Sequence, residues 1–178
     1  MKNSIFLYLN LFLLSAVVLC FEITSTRVSS VIFVSDYAFI ILSLAILGLG
    51  SGGIYCYYRI KEKNAAASLK IISKSLFFLG VSLCLFITSV IKFSITDPFI
   101  YFSLLFVPFF LAGIAYAQIF KIFAENSFKL YAADLSGAAI GSIASLGLFS
   151  ILGASNSVLL LTLIIFCAAL SLIHNLNE

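Results

Sequence analysis

Six runs of mostly apolar residues, each long enough to cross a lipid bilayer as a helix, follow one another through this sequence. The hydrocarbon core of a bilayer is ~30 Å thick, and a helix needs about 20 residues to cross it. Hydrophobic residues make up 63% of the chain and charged residues 10%, whereas soluble domains have roughly 25% charged residues. No soluble fold of 178 residues could bury so much apolar surface. We therefore predict an all-α, polytopic bundle of transmembrane helices.

Charged residues and turn residues between the apolar runs give the limits of the spans. The run at the N-terminus has the composition of a signal peptide, but no A-x-A cleavage site follows it, so we expect a retained helix. The apolar piece from Val28 to Val34 is too short to cross, and we expect it at the membrane interface. Asp97 and Pro98 are typical of a helix start. We predict one transmembrane domain, residues 1–178, with six spans at about 4–22, 37–58, 75–95, 98–120, 132–152 and 156–174.

The basic residues predict how these spans are oriented. Eight of the ten Lys and Arg residues fall at the N-terminus or in the connections after the second and fourth spans. Only Arg27 and Lys92 fall on the other side. Because short cytoplasmic loops are enriched in Lys and Arg, we predict that both termini are cytoplasmic, in a bacterial plasma membrane. The net charge of +3 is too small to indicate nucleic-acid binding.

Small residues recur at helical spacing in two of the spans. Gly137 and Gly141 are four residues apart in the fifth span, and Gly48 and Gly52 are four apart in the second. Helices in lipid gain nothing from burying apolar surface against each other, so they associate by close backbone approach. We predict that these four glycines pack against neighbouring helices. The run LGLGSGG is not expected to bind a nucleotide, because it follows no strand of a soluble βαβ unit.

Four charged residues near the ends of spans are candidates for a substrate-binding site or polar pathway: Glu22, Arg27, Asp36 and Asp134. Ionisable residues at membrane depth usually face the bundle interior and serve a function. The alternative is that these residues rest in the interface, where a charge costs little. The sequence leaves both interpretations open.

The spacing of these residues predicts their arrangement. Glu22 and Arg27 are five residues apart, about 500° around a helix, so their pairing requires a helix break near Thr24. Asp134 is expected on the first turn of its helix, where the helix dipole favours a carboxylate. It would then lie ~25–30 Å from Glu22 across the membrane core, so that one acid stands at each mouth of a pathway.

Side chains typical of metal and catalytic sites are few. The only histidine, His174, is at the tail, and the four cysteines lie in apolar spans without C-x-x-C spacing. This composition argues against a disulfide framework, a zinc site and a histidine-based triad. We therefore name no catalytic residue, metal or cofactor. An enzyme working with carboxylates, hydroxyls and lysines alone is a distant alternative.

Three segments resemble, in order, the membrane part of membrane-bound spermidine-synthase-like proteins. The first begins FEITSTR and ends LGLGSGG, and it has the family's E-x-x-x-x-R pattern and glycine-rich helix end. The second is VPFFLAGIAYAQIF, and the third is LYAADLSGAAIGSIAS. The resemblance covers roughly residues 21–153. Its best-matched positions are Glu22, Arg27, Gly48, Gly50, Pro108, Tyr131, Asp134, Gly137 and Gly141.

The resemblance implies a function that differs from the family's own enzymatic activity. Longer members continue into a soluble domain resembling an S-adenosyl-ligand aminopropyltransferase, which has no counterpart in these 178 residues. We therefore expect a membrane module that anchors or cooperates with a cytoplasmic aminopropyltransferase-like partner. The alternative is a transporter of a small solute, a polyamine or another cation, because buried carboxylates attract amines. Six spans make a small transporter unless two copies associate, so a homo-oligomer belongs to this second hypothesis.

The predicted topology is testable by labelling single cysteines from outside intact cells, in a background without the four native cysteines. A cysteine at Ser155 should react, because it lies in the predicted outer turn between the last two spans. A cysteine at Ala66 should not react, because it lies in the basic, inner connection. The reverse pattern would contradict the predicted orientation.

Overall fold

The computed structural model describes residues 2–33, 37–60, 65–93 and 97–177, and almost all of them are helical. Five helices are long and apolar enough to cross a membrane. This indicates a multi-pass membrane protein and agrees with the predicted all-α class. A short 3-10 turn, Ala124–Asn126, links the fourth helix to the fifth. The helices are α1 (Lys2–Ile32), α2 (Ala38–Arg59), α3 (Ala65–Phe93), α4 (Pro98–Ile122) and α5 (Ser127–Asn177).

The described residues form five such helices, not the six predicted spans. The predicted fifth and sixth spans both belong to α5, which contains one residue with non-helical backbone, Gly153, at φ 76° and ψ 171°. This region of backbone conformation is accessible essentially to glycine alone. The turn predicted between these two spans, at residues 153–155, is therefore reduced to a single residue. Beyond it the Ser157 hydroxyl already donates a hydrogen bond to the Gly153 carbonyl, at 2.6 Å.

The two halves of α5 lie side by side along α1. Gly137, before the bend, lies against the backbone of Phe12. Ser171, after the bend, is hydrogen-bonded to the amide of Asn10, at 3.3 Å. A straight helix would place residues 137 and 171 about 51 Å apart. Because both contact the same part of α1, the chain must reverse direction at Gly153, and α5 is a helical hairpin.

The helices α1 and α3 are longer than the spans predicted within them. α1 continues to Ile32 as one helix, so the segment expected at the interface is helical and no break occurs near Thr24. The Thr26 hydroxyl fits this part of the helix because it donates a hydrogen bond to the Glu22 carbonyl, at 2.8 Å. α3 begins at Ala65, ten residues before the predicted start of the third span. The predicted start of α4 is confirmed, since the Asp97 carboxylate accepts a hydrogen bond from the amide of Phe99.

Glycines stand at the closest helix contacts in the bundle. A Cβ atom at Gly137 or Gly141 of α5 would collide with the backbone carbonyl of Phe12 or Ala16 in α1. Such contacts let a Cα–H group approach a carbonyl oxygen of the next helix, which is a weak hydrogen bond. α2 and α4 meet in the same way at Gly52 and Gly113, and a Cβ atom at Gly48 would collide with the Cβ atom of Phe109.

Aromatic side chains fill the space where α1 meets α3 and α4. Phe21 packs edge to face on Phe86, with ring centroids 5.4 Å apart. Near the end of α1 the Ser29 hydroxyl donates a hydrogen bond to the hydroxyl of Tyr101, at 3.0 Å. These contacts fix one side of α1 in the core, so the residues on its other sides remain available for α2 and α5.

The close approach of α5 to α1 predicts opposite effects for two glycines of the same helix. Gly141→Ala should destabilise the protein by about 1–3 kcal/mol, because the new methyl group forces the helices apart. Gly147 has no atom within 4 Å of an added Cβ, so Gly147→Ala should be neutral or slightly stabilising through helix propensity. Thermal unfolding in detergent measures both. An equal loss of stability in the two variants would contradict the packing described here.

Candidate functional site

A cavity of about 320 Å³ lies between α1, α2, α4 and α5. Its wall is mainly apolar, but two carboxylates and two hydroxyl groups also line it. A mainly apolar cavity with a few convergent polar groups is the usual form of a small-molecule site. Carboxylates at membrane depth are costly, and they are usually retained for a function. The lining residues are Ser15, Val18, Leu19, Glu22, Leu49, Gly113, Tyr116, Asp134 and Ala138.

One face of α1 supplies four of these residues. Ser15, Val18, Leu19 and Glu22 follow the i, i+3, i+4, i+7 spacing that places side chains on the same side of a helix. Seven residues turn a helix by about 700°, close to two full turns, and advance it by about 10.5 Å. Ser15 and Glu22 therefore point the same way from positions two turns apart. This alignment requires the unbroken helix that the structure shows.

The glycine contacts position the acid on α5. Because Gly137 and Gly141 have no side chain, α5 can lie directly against α1, and this close approach brings Asp134 within reach of Ser15. The Ser15 hydroxyl donates a hydrogen bond to the Asp134 carboxylate, with Oγ and Oδ1 2.5 Å apart. Ser15 is only 2% exposed, so the donor of this bond is shielded from solvent, whereas Asp134 is half-buried. The close contact between the two backbones thus determines where the carboxylate lies.

α4 joins this network through a tyrosine. The Tyr116 hydroxyl donates a hydrogen bond to the Ser15 hydroxyl, at 3.0 Å. The carbonyl oxygen of Leu11, one turn back along α1, is a further neighbour of Ser15 Oγ, at 2.8 Å. Ser15 is therefore the centre of a polar network that links three helices on one side of the cavity.

The structure brings together the two acids that the sequence placed at opposite mouths. Glu22 and Asp134 line the same cavity, so the predicted separation of ~25–30 Å is wrong. The reason is the position of Asp134: α5 begins at Ser127, so Asp134 is two turns inside the helix and not on its first turn. The effect of the helix dipole fades within the first turn, so a capping role does not explain this acid.

The other two candidate charges do not join the cavity. The guanidinium of Arg27 lies over the ring of Phe149, 5.3 Å from its centroid. Because α1 does not break, Arg27 points to a different side from Glu22, and no ion pair joins these two described side chains. The predicted pairing is therefore wrong. Asp36 lies outside the described residues, so its predicted role stays a prediction.

Sequence reasoning missed the two hydroxyl groups of the cavity. Ser15 and Tyr116 are isolated polar residues in long apolar runs, and this is the only signal that could have singled them out. Among the described residues, no group of three or more His, Cys, Asp or Glu side chains could hold a metal ion. The chemistry that the cavity offers is thus a pair of carboxylates, assisted by hydroxyls.

The three segments that carry the family resemblance all contribute to this cavity. The first supplies Glu22 and Leu49, the second Gly113 and Tyr116, and the third Asp134. No protein-family model matches the chain, and neither a curated protein nor a solved structure matches it. The resemblance therefore rests on the motif segments alone.

The hydrogen bond between Ser15 and Asp134 should appear as a coupling energy in a double-mutant cycle. Ser15→Ala should destabilise the protein by about 1–3 kcal/mol, because the half-buried Asp134 carboxylate loses its donor. In an Asp134→Ala background the same substitution should cost much less. Equilibrium unfolding in detergent measures the difference.

A matched control for this cycle is Ser103→Ala. Ser103 is exposed, and its hydroxyl bonds only to the carbonyl of Phe99 in its own helix, at 2.8 Å. Its effect should add to that of Asp134→Ala without coupling. Additive effects of Ser15→Ala as well would argue against the hydrogen bond.

Proposed function

We propose that this chain is a multi-pass membrane protein that binds a small cationic solute, such as an alkylamine, and moves it across the membrane. The observation that carries the proposal is that Glu22 and Asp134 line one cavity together with the hydroxyls of Ser15 and Tyr116. Carboxylates attract an ammonium group, and hydroxyl oxygens accept its hydrogen bonds. In surroundings of low dielectric constant these interactions are stronger than in water.

The composition and size of the cavity support a small cation. None of its nine lining residues is basic, so its formal side-chain charge is negative when the acids are ionised. A volume of about 320 Å³ is near the lower end of the range for small-molecule pockets, about 300–1,000 Å³. The apolar side chains Val18, Leu19 and Leu49 suit a short alkyl chain.

The hairpin shape of α5 supports six membrane crossings. The two halves of α5 lie along α1 in opposite directions, because the chain reverses at Gly153. We infer that each half crosses once, which gives six crossings in all. An even number of crossings places both termini on one side, and the basic residues favour the cytoplasmic side of a plasma membrane.

A second function is favoured by the convergence of the three resemblance segments on the cavity. These segments resemble a membrane module whose longer relatives carry an aminopropyltransferase-like domain. In this case the chain anchors a cytoplasmic partner of that type, and the cavity holds an amine that the partner consumes or produces. Both functions require the same cation site, and they differ in whether the chain acts alone.

Substitution of the two acids tests the cation site. Glu22→Gln and Asp134→Asn keep the shape of the side chain and remove its charge. Each should weaken binding of butylamine or 1,4-diaminobutane about tenfold or more, because a hydrogen bond to a charged group contributes about 1.5–3 kcal/mol. Isothermal titration calorimetry on the purified protein in detergent measures this affinity.

Glu125→Gln is the matched control for these substitutions. Glu125 is an exposed acid in the turn before α5 and does not line the cavity. Its loss should leave the affinity unchanged. Wild-type affinity in both cavity variants, or no binding of either amine to the wild-type protein, would contradict the proposal.

Uptake of labelled amine into liposomes separates the two functions. Liposomes containing only this chain should accumulate the amine, and the Glu22→Gln variant should reduce the rate. Binding without uptake would favour the anchoring function over transport.

A further inference from the structure

The two carboxylates of the cavity differ in the hydrogen bonds that they receive. The Asp134 carboxylate accepts a hydrogen bond from Ser15 Oγ, which itself accepts one from the Tyr116 hydroxyl. A hydrogen bond donated to a carboxylate stabilises its ionised form. The Thr26 hydroxyl donates to the backbone carbonyl of Glu22, and no described side chain donates to the Glu22 carboxylate. The surroundings of Asp134 therefore favour a negative charge, and those of Glu22 do not.

The position of Glu22 adds to the cost of a charge there. Glu22 lies ten residues, about 15 Å of helix, before the end of α1 at Ile32, and twenty residues, about 30 Å, after its start at Lys2. Its neighbours on α1 in the cavity wall are Val18 and Leu19, whose side chains form no hydrogen bonds. An ionised carboxylate without partners is costly at membrane depth, and such a group usually becomes neutral instead.

The titratable groups that face Glu22 from the other helices favour the same state. In the cavity wall, α5 presents the Asp134 carboxylate and α4 the uncharged hydroxyl of Tyr116, whereas α2 presents no titratable group. No basic residue lines the cavity, and Arg27 of α1 points to a different side of its helix. Because the ionised Asp134 repels a second negative charge, a proton on Glu22 stabilises the empty cavity.

We propose that Glu22 is a proton-binding site and that a cation entering the cavity displaces this proton. The inference rests on the proposed function, because it requires a cation that binds here. In the exchange the O–H bond of the Glu22 carboxyl group breaks, and its proton passes through the cavity to water. The ammonium group of the cation then supplies the positive charge beside the two carboxylates. One positive charge leaves as one enters, so the net charge of the site is conserved.

This exchange gives the two acids different roles. Asp134, held by Ser15, keeps its negative charge whether the cavity is empty or occupied and attracts the cation. Glu22 carries a negative charge only while the cation is present to offset it. Binding of the cation is thereby coupled to the release of one proton.

Infrared difference spectroscopy on the purified protein during a pH titration tests the proton site, whatever the solute. Above about pH 6 exposed carboxyl groups are ionised, so a carboxylic-acid C=O absorption that remains there reports a shielded acid. The wild-type protein should show this absorption, and Glu22→Gln should lack it. Asp134→Asn should retain it, because the apolar surroundings of Glu22 remain, and so should the exposed control Glu125→Gln.

Three infrared results would overturn the inference. The first is a wild-type protein without the absorption, and the second is an absorption that persists in Glu22→Gln. The third is an absorption that is retained in Glu22→Gln and lost in Asp134→Asn, which would make Asp134 the proton-binding acid.

Calorimetry on the wild-type protein tests the displacement and does not depend on any variant folding. Butylamine is titrated in two buffers with different ionisation enthalpies, at a pH at which the infrared absorption is present. The heats should differ by an amount that corresponds to one proton released for each amine bound. Equal heats in the two buffers would overturn the displacement and leave the proposed cation binding intact. No binding in either buffer would overturn the proposed function, and the displacement with it.

Discussion

The contact between the backbones of α1 and α5 is the interaction on which the rest of the structure depends. Gly137 and Gly141 let the first half of α5 lie directly on the carbonyl groups of α1. In a bilayer this kind of contact replaces the burial of apolar surface that holds a soluble core together. A larger side chain at either position would separate the helices, and Asp134 would then lose its contact with Ser15. The packing motif and the polar site are thus parts of one arrangement.

A second constraint is the cost of placing carboxylates inside a bundle of apolar helices. At Asp134 this cost is offset by hydrogen bonds: Tyr116 of α4 donates to Ser15 of α1, and Ser15 donates to the carboxylate. Glu22 lies two turns further along the same face of α1 and has no comparable network among the described residues. A cation between the two acids would offset the charge of both. This is the physical reason for our proposal that the cavity binds a positively charged ligand.

The helical membrane class, the start of α4 and the repeat of small residues could be predicted from the sequence, because each depends on local composition or spacing. Asp97 and Pro98 determine the start of α4 within a single turn, and the length of a span can be read from the apolar run that forms it. A longer turn was expected where the chain reverses at Gly153, because the local sequence does not determine how many residues adopt a non-helical conformation. The meeting of Glu22 with Asp134 depends on where α5 begins and on how α1 passes it. Likewise, Ser15 and Tyr116 gain a role only through contacts between distant parts of the chain.

The site described here requires that Glu22 and Asp134 face the same cavity, and cross-linking measures this directly. Cysteines at these two positions, in a background without the native cysteines, can be treated with a short bifunctional thiol reagent that spans about 10 Å, the rise of two helical turns. We expect an efficient cross-link within one chain, and little cross-linking when Glu125→Cys, in the exposed turn nine residues before Asp134, replaces the cysteine at 134. If the pair at 22 and 134 reacts only with reagents that span ~25–30 Å, the acids lie at opposite sides of the membrane core and do not share a cavity.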